Sequence, residues 1–382
     1  MKEYAFTIPQ HIIVGKDSLC KLPSLLKKCD VKNILIISGH NLKRMGMVDK
    51  VQKLIVESGV KCNIFTDVEA NPSIQTVEAA TSYYRKCGSD GIVALGGGSP
   101  IDTAKAVGVL AKYGGRISEY EGAHKVPGPI VPMIAIPTTA GTGSEVTAFS
   151  VITDTVRNYK LTVFSYELIP KYALLEPSLI TSVPFSVAAA CGMDALVHAI
   201  EAYLSRDASL FSDAMAEKAM ELIGKSIRNY CANRTDETAA EKMLSGSMFA
   251  GIAFSWARLG NVHAMSHPVS ALYHVPHGMA NAILLPTILE YNALADNGRY
   301  QKIYQCICKG NGAKNDFTHE DLVEEVKELN HSLGIPANLS EVGVMEENIS
   351  QMAKDANLSG NIAVNPRQTA VKDLEMLYQS AL

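Results

Sequence analysis

The chain has 382 residues, 47% of them hydrophobic, and a formal net charge of −4 at pH 7. This length exceeds what one ordinary hydrophobic core accommodates, so we expect two domains. Lysine and arginine are scattered along the chain rather than grouped, and this pattern argues against a nucleic-acid-binding surface.

No stretch has the composition of a targeting signal or a membrane anchor. The N-terminal stretch MKEYAFTIPQHIIVGK lacks an apolar run of signal-peptide length. Apolar runs elsewhere are interrupted by glycine, proline or polar residues before about 18 positions. The eight cysteines include no C-x-x-C pair, so we expect reduced thiols. These features predict a cytoplasmic protein that binds neither membrane nor nucleic acid.

The first half of the chain alternates strands with helices. Its strands are continuous apolar runs, such as NILIIS and GIVAL, and such runs are typical of parallel strands buried on both faces. We therefore predict an α/β domain with a parallel sheet over residues 1–184. In chain order, strands are predicted at 4–7, 11–14, 33–38, 61–66, 91–95 and 132–136, and helices at 42–58, 73–87 and 101–112.

The second half has helical periodicity almost throughout. It contains VAAACGMDALVHAIEAYL, SDAMAEKAMELIGKSI and TAAEKMLSGSMFAGIAFSWARL, and no convincing strand interrupts them. We predict an all-α domain over residues 185–382.

A glycine-rich turn follows the buried strand GIVAL in GIVALGGGSPIDTAKAVG. Glycines allow close approach of the backbone to a ligand, and a helix that begins at the turn directs free N–H groups toward it. Ser99 is expected to cap this helix, and Pro100 suits its first turn. We interpret the turn as a phosphate site at the carboxyl end of a strand. The alternative is a tight turn that binds nothing.

A second loop of small residues follows the next strand in PMIAIPTTAGTGSEVT. Pro137 ends the strand, and hydroxyls and glycines then line the stretch from Thr138 to Ser144. Two such loops after adjacent strands favour a dinucleotide over a mononucleotide. Taken alone, the second loop fits an ordinary turn equally well.

Two pairs with helical i,i+4 spacing predict a metal site in the second half. Asp194 and His198 share one helix face, and His263 and His267 share another. His277 lies at the start of a further helix. Three imidazoles and one carboxylate suit a divalent first-row metal such as Fe²⁺ or Zn²⁺, and a remaining histidine suits proton transfer. The alternative is helix-stabilising pairs and satisfied core imidazoles.

Other polar residues in this half carry weaker signals. His274 is most simply a polar loop residue, and Arg258 either meets an anionic substrate group or forms a structural ion pair. We expect a small, mostly apolar substrate pocket, for which the candidates are Phe149, Phe254, Trp256, Arg258 and Tyr273.

Taken together, GGGSPIDTAK, IPTTAGTGSEVT, CGMDALVHAIEAY and NVHAMSHPVSALYHVPHGMANAILLP resemble the iron-containing (group III) alcohol dehydrogenase family, over essentially the whole chain. The resemblance implies a Rossmann-like N-terminal domain and an all-α C-terminal domain, an architecture shared with dehydroquinate synthase. It also implies that His267 helps to relay the proton and that the metal ligands are Asp194, His198, His263 and His277.

The resemblance also implies which residues contact the nucleotide. Gly39 follows the strand NILIIS, at a position where many members of the family have aspartate. An acid at such a strand end bonds the adenosine ribose and repels a 2′-phosphate, so its absence predicts that NADP(H) is accepted. The alternative is that Gly39 merely relaxes the site and NAD(H) is still preferred through ribose contacts elsewhere. The stretch Pro268–Ser270 also departs from the family's usual residue–Leu–Gly run. The other implied contacts are Asn71, Gly97, Gly98, Ser99, Asp102, Thr138, Thr139, Thr142, Thr147, Lys160 and Leu179.

These observations predict a metal-dependent, NAD(P)-linked alcohol dehydrogenase or aldehyde reductase acting on a small primary alcohol, a diol or the corresponding aldehyde. A lyase of the dehydroquinate-synthase type is one alternative, but it needs basic groups around a phosphorylated substrate and no such cluster is evident. A non-catalytic nucleotide-binding protein with a structural metal is another. An N-terminal edge hairpin and the family resemblance together predict a homodimer or higher homo-oligomer.

Overall fold

The structure is a computed structural model that describes residues 3–157, 159–310, 314 and 316–382. The chain divides into two compact units. An α/β unit comprises Thr7–Thr139 and Gly143–Ile180. A helical unit comprises Thr181–Leu382, together with Ala140–Thr142 and a short N-terminal stretch ending at Phe6.

The α/β unit is built on a six-stranded sheet in which every neighbouring pair is parallel. Its spatial order is β1-β9-β6-β4-β2-β3. The six strands are β1 (His11–Val14), β2 (Asn33–Ile37), β3 (Lys61–Phe65), β4 (Gly91–Gly96), β6 (Met133–Pro137) and β9 (Tyr172–Leu175).

Alternate residues of the central strands enter hydrophobic cores on opposite faces of this sheet. In β2, Leu35 and Ile37 pack into one core, whereas Ile34 and Ile36 pack into the other. This burial of both faces explains why the strands are continuous apolar runs and not alternating ones. The predicted parallel α/β architecture is therefore confirmed.

Helices cover the sheet. The helix over Leu22–Cys29 was not predicted, and two others differ from prediction. The helix predicted over 42–58 is wrong as one element, because Gly46 adopts a positive φ of 75° and separates two helices. The helix predicted to start at 101 begins at Gly98. The helices are α1 (Leu22–Cys29), α2 (His40–Arg44), α3 (Met47–Glu57), α4 (Ile74–Cys87) and α5 (Gly98–Tyr113).

The strands differ from prediction in three respects. Strand β9 of the main sheet was not predicted. A second, three-stranded sheet has the order β5-β8-β7, with β7 and β8 antiparallel. The strand predicted at 4–7 is wrong, since residues 3–10 have no regular secondary structure and the ring of Phe6 stacks on Phe211 at 3.9 Å. The strands of the second sheet are β5 (Gly122–Ala123), β7 (Phe149–Asp154) and β8 (Tyr159–Phe164).

The helical unit is organised around α6 (Phe185–Leu204), which packs mainly against α7 (Leu210–Ala232), α8 (Glu237–Ala257) and α10 (His277–Asn292). This helix is long and apolar enough to cross a membrane, but 83% of its most apolar window is buried, as in the core helix of a soluble protein. The predicted all-α architecture is confirmed. The remaining helices are α9 (Asn261–Tyr273), α11 (Arg299–Ile307), α12 (His319–Ser332), α13 (Ile349–Asn357) and α14 (Val371–Ser380).

Candidate functional site

The two glycine-containing loops of the α/β unit meet at one edge of the sheet. They follow β4 and β6, whose last residues Gly96 and Pro137 are paired in register. A Cβ on Gly97 would come within 2.9 Å of Thr139 Oγ1, so the absence of a side chain lets the loops touch. Backbone amides and hydroxyls therefore lie side by side at the carboxyl edge of the sheet, where open α/β sheets bind ligands.

The start of α5 has the character of an anion site. Gly97 occupies the N-cap position in an extended conformation, and no side chain caps the helix there. The expectation that Ser99 caps this helix is therefore wrong, because the helix begins one residue before it. The first N–H groups of a helix have no intrahelical partner, so a phosphate can accept from them.

The second loop is held to α5 by two charged residues of that helix, the partly buried Asp102 and the fully buried Lys105. Ser144 Oγ donates to Asp102 Oδ1 at 2.5 Å, and Val151 N donates to Asp102 Oδ2 at 3.2 Å. Lys105 Nζ donates to the carbonyl oxygen of Thr147 at 2.8 Å. Burial lowers the pKa of Lys105 to about 8, while nearby acids act in the opposite direction. The conformation of this loop therefore depends on α5.

The other predicted nucleotide contacts have varied surroundings. Asn71 adopts a positive φ of 57°, and its Oδ1 accepts a hydrogen bond from Lys160 Nζ at 2.8 Å. Thr138 is buried, and Thr142 belongs to the helical unit. Leu179 is 4% exposed in one of the two cores flanking the sheet, so packing already accounts for most of its side chain.

Gly39 lies beside an acidic residue that sequence reasoning missed. It follows β2, the neighbour of β4, and forms an isolated antiparallel bridge with Asp67. His40 Nε2 lies 3.1 Å from Asp67 Oδ1, and both side chains are exposed. Asp67 follows β3, which was predicted as a strand. The sequence does not show that β3 pairs with β2, and only this pairing places Asp67 next to Gly39.

The candidate metal site begins with one face of α6. Asp194, His198 and Glu201 follow each other at spacings of four and three, which places them on one side of the helix. All three are nearly fully buried. Sequence reasoning missed Glu201, although a carboxylate in phase with Asp194 in so apolar a helix is a signal in itself.

Three of the four predicted ligands come together. The ligand atoms of Asp194, His263 and His277 all lie within 4.8 Å of one another. Asp194 Oδ1 is 3.8 Å from His263 Nε2 and 3.9 Å from His277 Nε2. The amide nitrogen of Asn281 lies 2.7 Å from Asp194 Oδ1 and about equally far from the two ring nitrogens, at 3.1 and 3.2 Å. Three donor atoms from three helices thus converge on one point.

The fourth predicted ligand, His198, lies beside this group rather than within it. Its ring stacks on that of His263 with centroids 4.5 Å apart and on that of Phe254 at the same distance. Burial lowers the pKa of His198 to about 4, so its imidazole is neutral at neutral pH. Its Nδ1 is buried with no hydrogen-bond partner, as expected for a lone pair that a metal would accept.

This donor set fits a divalent first-row metal. It combines one buried carboxylate with neutral imidazole nitrogens, which suit Fe²⁺ and Zn²⁺. The unpartnered nitrogen of His198 is a second observation in favour of the fit.

His267 is placed next to the group, one helical turn from His263. Its ring stacks on that of His277 with centroids 5.2 Å apart, and it lies edge-on to that of His263 at 6.4 Å. Unlike His263, it is only partly buried. A partly exposed imidazole beside a ligand can exchange protons with solvent.

The spacing between α10 and α6 depends on a glycine. A Cβ on Gly278 would lie 2.1 Å from the carbonyl oxygen of Ala190 and 3.0 Å from the Cβ of Asp194. The backbones are therefore in direct contact at the residue that follows His277. This contact fixes how far His277 can stand from Asp194.

Three residues considered from sequence have roles away from this group. Arg258 donates through Nη2 to the carbonyl oxygen of Gly360. The hydroxyl of Tyr273 accepts hydrogen bonds from Met345 N at 3.2 Å and Asn348 Nδ2 at 2.7 Å. His274 is exposed and ends α9 in a left-handed conformation, as a polar loop residue would.

Comparison with known proteins agrees with these observations. Residues 9–177 match the family model for iron-containing alcohol dehydrogenase, and residues 188–382 match that for the C-terminal part of the Fe-containing alcohol dehydrogenase family. The chain is 35% identical to the NAD-dependent methanol dehydrogenase of Bacillus methanolicus, covering 99% of both chains. It is 36% identical to the NADPH-dependent butanol dehydrogenase of Clostridium saccharobutylicum, covering 98% of this chain and 97% of that one.

A solved structure of 1,3-propanediol oxidoreductase matches the fold with a TM-score of 0.96, at 33% identity and full coverage of both chains. The chain belongs to the iron-containing alcohol dehydrogenase family. It is a metal-dependent, NAD(P)-linked oxidoreductase of that class, and the predictions of family and reaction class are confirmed.

Proposed function

We propose that this enzyme interconverts a small primary alcohol or diol with its aldehyde, using NAD(H) or NADP(H). The convergence of Asp194, His263 and His277 on one point carries the proposal. Relatives named for methanol, 1,3-propanediol, lactaldehyde and butanol support a small substrate.

We assign the metal to Asp194, His198, His263 and His277. When bound, the metal supplies Lewis acidity toward a substrate oxygen, and the nicotinamide exchanges a hydride with the substrate carbon. Asp194 contributes the negative charge of the set, and the three imidazoles contribute neutral donors. Asp194, His198 and His263 are buried, which strengthens their electrostatic effect on a substrate oxygen, whereas His277 is partly exposed.

The proton that accompanies the hydride needs a carrier, and we assign this role to His267. Its ring faces that of His277 and retains partial exposure, so it can pass a proton between the site and solvent. An imidazole titrates close to neutral pH, which suits transfer in either direction.

The α/β unit is assigned to the dinucleotide. Gly97, Gly98 and Ser99 offer the backbone amides at the start of α5 to the pyrophosphate. Further proposed contacts are Asp102 on α5 and four threonines that follow β6, namely Thr138, Thr139, Thr142 and Thr147. The remaining proposed contacts are Gly39, Asn71, Lys160 and Leu179. In functional terms residues 1–184 form the dinucleotide-binding domain, and residues 185–382 form the metal and substrate domain.

The test is a substrate screen on the purified enzyme reconstituted with Fe²⁺ or Zn²⁺. Short alcohols, diols and aldehydes are offered with each nicotinamide cofactor, and the near-ultraviolet absorbance of the reduced cofactor is followed. Metal-dependent net turnover of cofactor with at least one of these substrates is expected. Binding of cofactor without turnover on any of them would overturn the proposal.

Cell location and assembly complete the proposal. We propose a cytoplasmic location, whose reducing conditions suit eight cysteines that are not joined in disulfides. A homodimer is proposed because apolar side chains near the N-terminus are exposed and β1 is an edge strand.

A further inference from the structure

Glu201 lies on the same face of α6 as Asp194 and His198, but it is not among the assigned ligands. It is 6% exposed in a helix that is otherwise almost entirely apolar. A carboxylate buried in such surroundings requires hydrogen bonds to compensate for its lost hydration. Its partners therefore indicate what it does.

Both oxygens of Glu201 are directed at the start of α9. Glu201 Oε1 accepts a hydrogen bond from Val262 N at 2.6 Å, and Oε2 lies 3.4 Å from His263 N. The N-cap of α9, Gly260, offers no side-chain cap of its own. A Cβ on Gly260 would come within 2.9 Å of Glu201 Oε1, so only glycine leaves room for the carboxylate. Glu201 thus caps a helix from a neighbouring helix.

The same carboxylate holds the ring of His263. Glu201 Oε2 lies 2.6 Å from His263 Nδ1. A carboxylate at this place accepts the proton of Nδ1, which leaves the lone pair of Nε2 pointing at Asp194 and His277. Two separate features of His263, its position at the start of α9 and the tautomer of its ring, therefore depend on one residue.

We infer that Glu201 is a positioning residue that fixes the tautomer and ring plane of His263 and so sets the affinity of the site for metal. The inference rests on the proposed function, because it takes His263 as a ligand. A carboxylate behind a metal-bound imidazole raises its basicity as well as orienting it. Asp194 as a ligand and Glu201 behind His263 bring two carboxylates to the site. Their combined negative charge matches a divalent cation better than a monovalent one.

The first experiment measures metal affinity directly. Wild type and Glu201→Gln are freed of metal with a chelator and titrated with Zn²⁺ in competition with a chromogenic chelator. Glutamine has nearly the same volume but can donate to Nδ1 as well as accept from it. Loss of this partner is expected to weaken Zn²⁺ binding by about 10- to 100-fold. Glu201→Asp keeps the carboxylate and should regain part of the affinity.

Two controls separate positioning from stability. Glu290→Gln changes an exposed carboxylate of the same helical unit and should leave the dissociation constant unchanged. The thermal midpoint of the metal-free Glu201→Gln protein reports the loss of stability from both contacts of Glu201, the helix cap and the His263 ring, without any contribution from metal. The absorption spectrum of each protein loaded with Co²⁺ reports the arrangement of the ligands. A lower thermal midpoint in Glu201→Gln, with Zn²⁺ affinity and Co²⁺ spectrum both unchanged from wild type, would overturn the inference.

A second experiment needs no variant at Glu201 and so holds even if those variants do not fold. Histidine labelled with ¹⁵N in the metal-free wild type reports which ring nitrogen carries the proton, and His263→Ala assigns the signal. Protonation at Nδ1 supports the inference, and protonation at Nε2 overturns it. If the wild type binds no metal at all, the proposed function fails. If it binds metal and turns over cofactor but Glu201→Gln binds equally well, only the role of Glu201 fails.

Discussion

The ammonium group of Lys105 lies 2.7 Å from the carbonyl oxygen of Phe149. This hydrogen bond joins the helix that follows the first glycine-containing loop to the strand that follows the second. Lys105 also donates to both the carbonyl and the hydroxyl of Thr147, so a single buried cation holds the end of the second loop.

Replacing Lys105 with methionine should therefore loosen this loop. The change removes the donor to buried carbonyl oxygens and one of the two lysines, Lys105 and Lys160, whose charges favour the Asp102 carboxylate. We therefore expect a loss of about 3 kcal/mol in the free energy of unfolding. The Michaelis constant for the cofactor should rise, because the loop no longer presents its hydroxyls in one conformation. Urea unfolding and steady-state kinetics measure both effects. Lys50→Met, at an exposed position of α3, is the control, and equal behaviour of the two variants would contradict this role.

Metal content should follow the assigned ligands. His263→Ala and His277→Ala should lose bound metal and activity together, because a site that lacks a ligand holds metal poorly. His267→Ala should keep its metal and lose rate. Elemental analysis of the purified proteins tests both statements, with the exposed His331→Ala as control. Full metal occupancy in both His263→Ala and His277→Ala would refute the assignment.

Glu145 should make the folded protein less stable as the pH rises from acid to neutral. It is 2% exposed, and burial raises its pKa to about 7 from an ordinary value near 4.5. Between these two values the folded state holds more protons than the unfolded state, so the free energy of unfolding falls with increasing pH. This contribution reaches on the order of 3 kcal/mol by pH 7.

Glu145→Gln should remove this dependence of the free energy of unfolding on pH. It should leave the free energy of unfolding at acid pH nearly unchanged. Thermal midpoints measured from pH 4.5 to 7 give the comparison, and Glu78→Gln at an exposed position serves as control. Parallel curves for wild type and Glu145→Gln would show that the carboxyl is ionised at no cost in the folded protein.

Cofactor choice should depend on Gly39 and Asp67. The absence of an acid at position 39 predicts that NADPH is accepted, whereas Asp67 across the bridge adds some negative charge nearby. Asp67→Asn should raise kcat/KM for NADPH several-fold relative to NADH, and Gly39→Asp should shift preference toward NADH. Asp30→Asn, at another exposed aspartate, should change neither ratio.

The wild-type ratio is itself a test of the interpretation of Gly39. It is obtained from kcat/KM with NADH and NADPH on one aldehyde. A preference for NADH above roughly a hundredfold, about 2.7 kcal/mol, would mean that another group excludes the 2′-phosphate.

The enzyme should be at least dimeric in solution. Tyr4 and Phe6 are 46% and 50% exposed, which is unusual for aromatic side chains of a monomer, and β1 has a neighbour on one side only. Light scattering at micromolar concentration measures the mass. A monomer mass would count against this prediction.

The sequence was most informative where one local pattern decides the structure. Continuous apolar strands before glycine-rich turns predicted the sheet and the loops at its edge, because burial on both faces leaves no room for polar residues. Helical periodicity predicted the helices of the second half, and the i,i+4 pairs on them predicted that Asp194 and His263 belong to a metal site, since that spacing places two side chains on one face.

The sequence was least informative where the outcome depends on contacts between distant segments. The β7–β8 hairpin was missed because its residues alternate between buried and partly exposed positions, unlike the apolar runs used to find strands. The position of Asp67 beside Gly39 could be predicted only with the order of the strands in the sheet. The role of Glu201 could be predicted only with the contact between α6 and the start of α9. The break at Gly46 needed a backbone angle, which an isolated glycine in a helical pattern does not specify.

The contact between Gly278 and Ala190 bears on how this enzyme could be re-engineered. A search for new substrates would naturally randomise the positions around His277. Any side chain at 278 would collide with main-chain atoms of α6, which cannot move aside as a flexible side chain can. A library of variants should therefore keep glycine at position 278, because a substitution there would disable the enzyme whatever its effect on substrate range. The inactive variants would otherwise be misread as evidence that the substrate pocket tolerates no change.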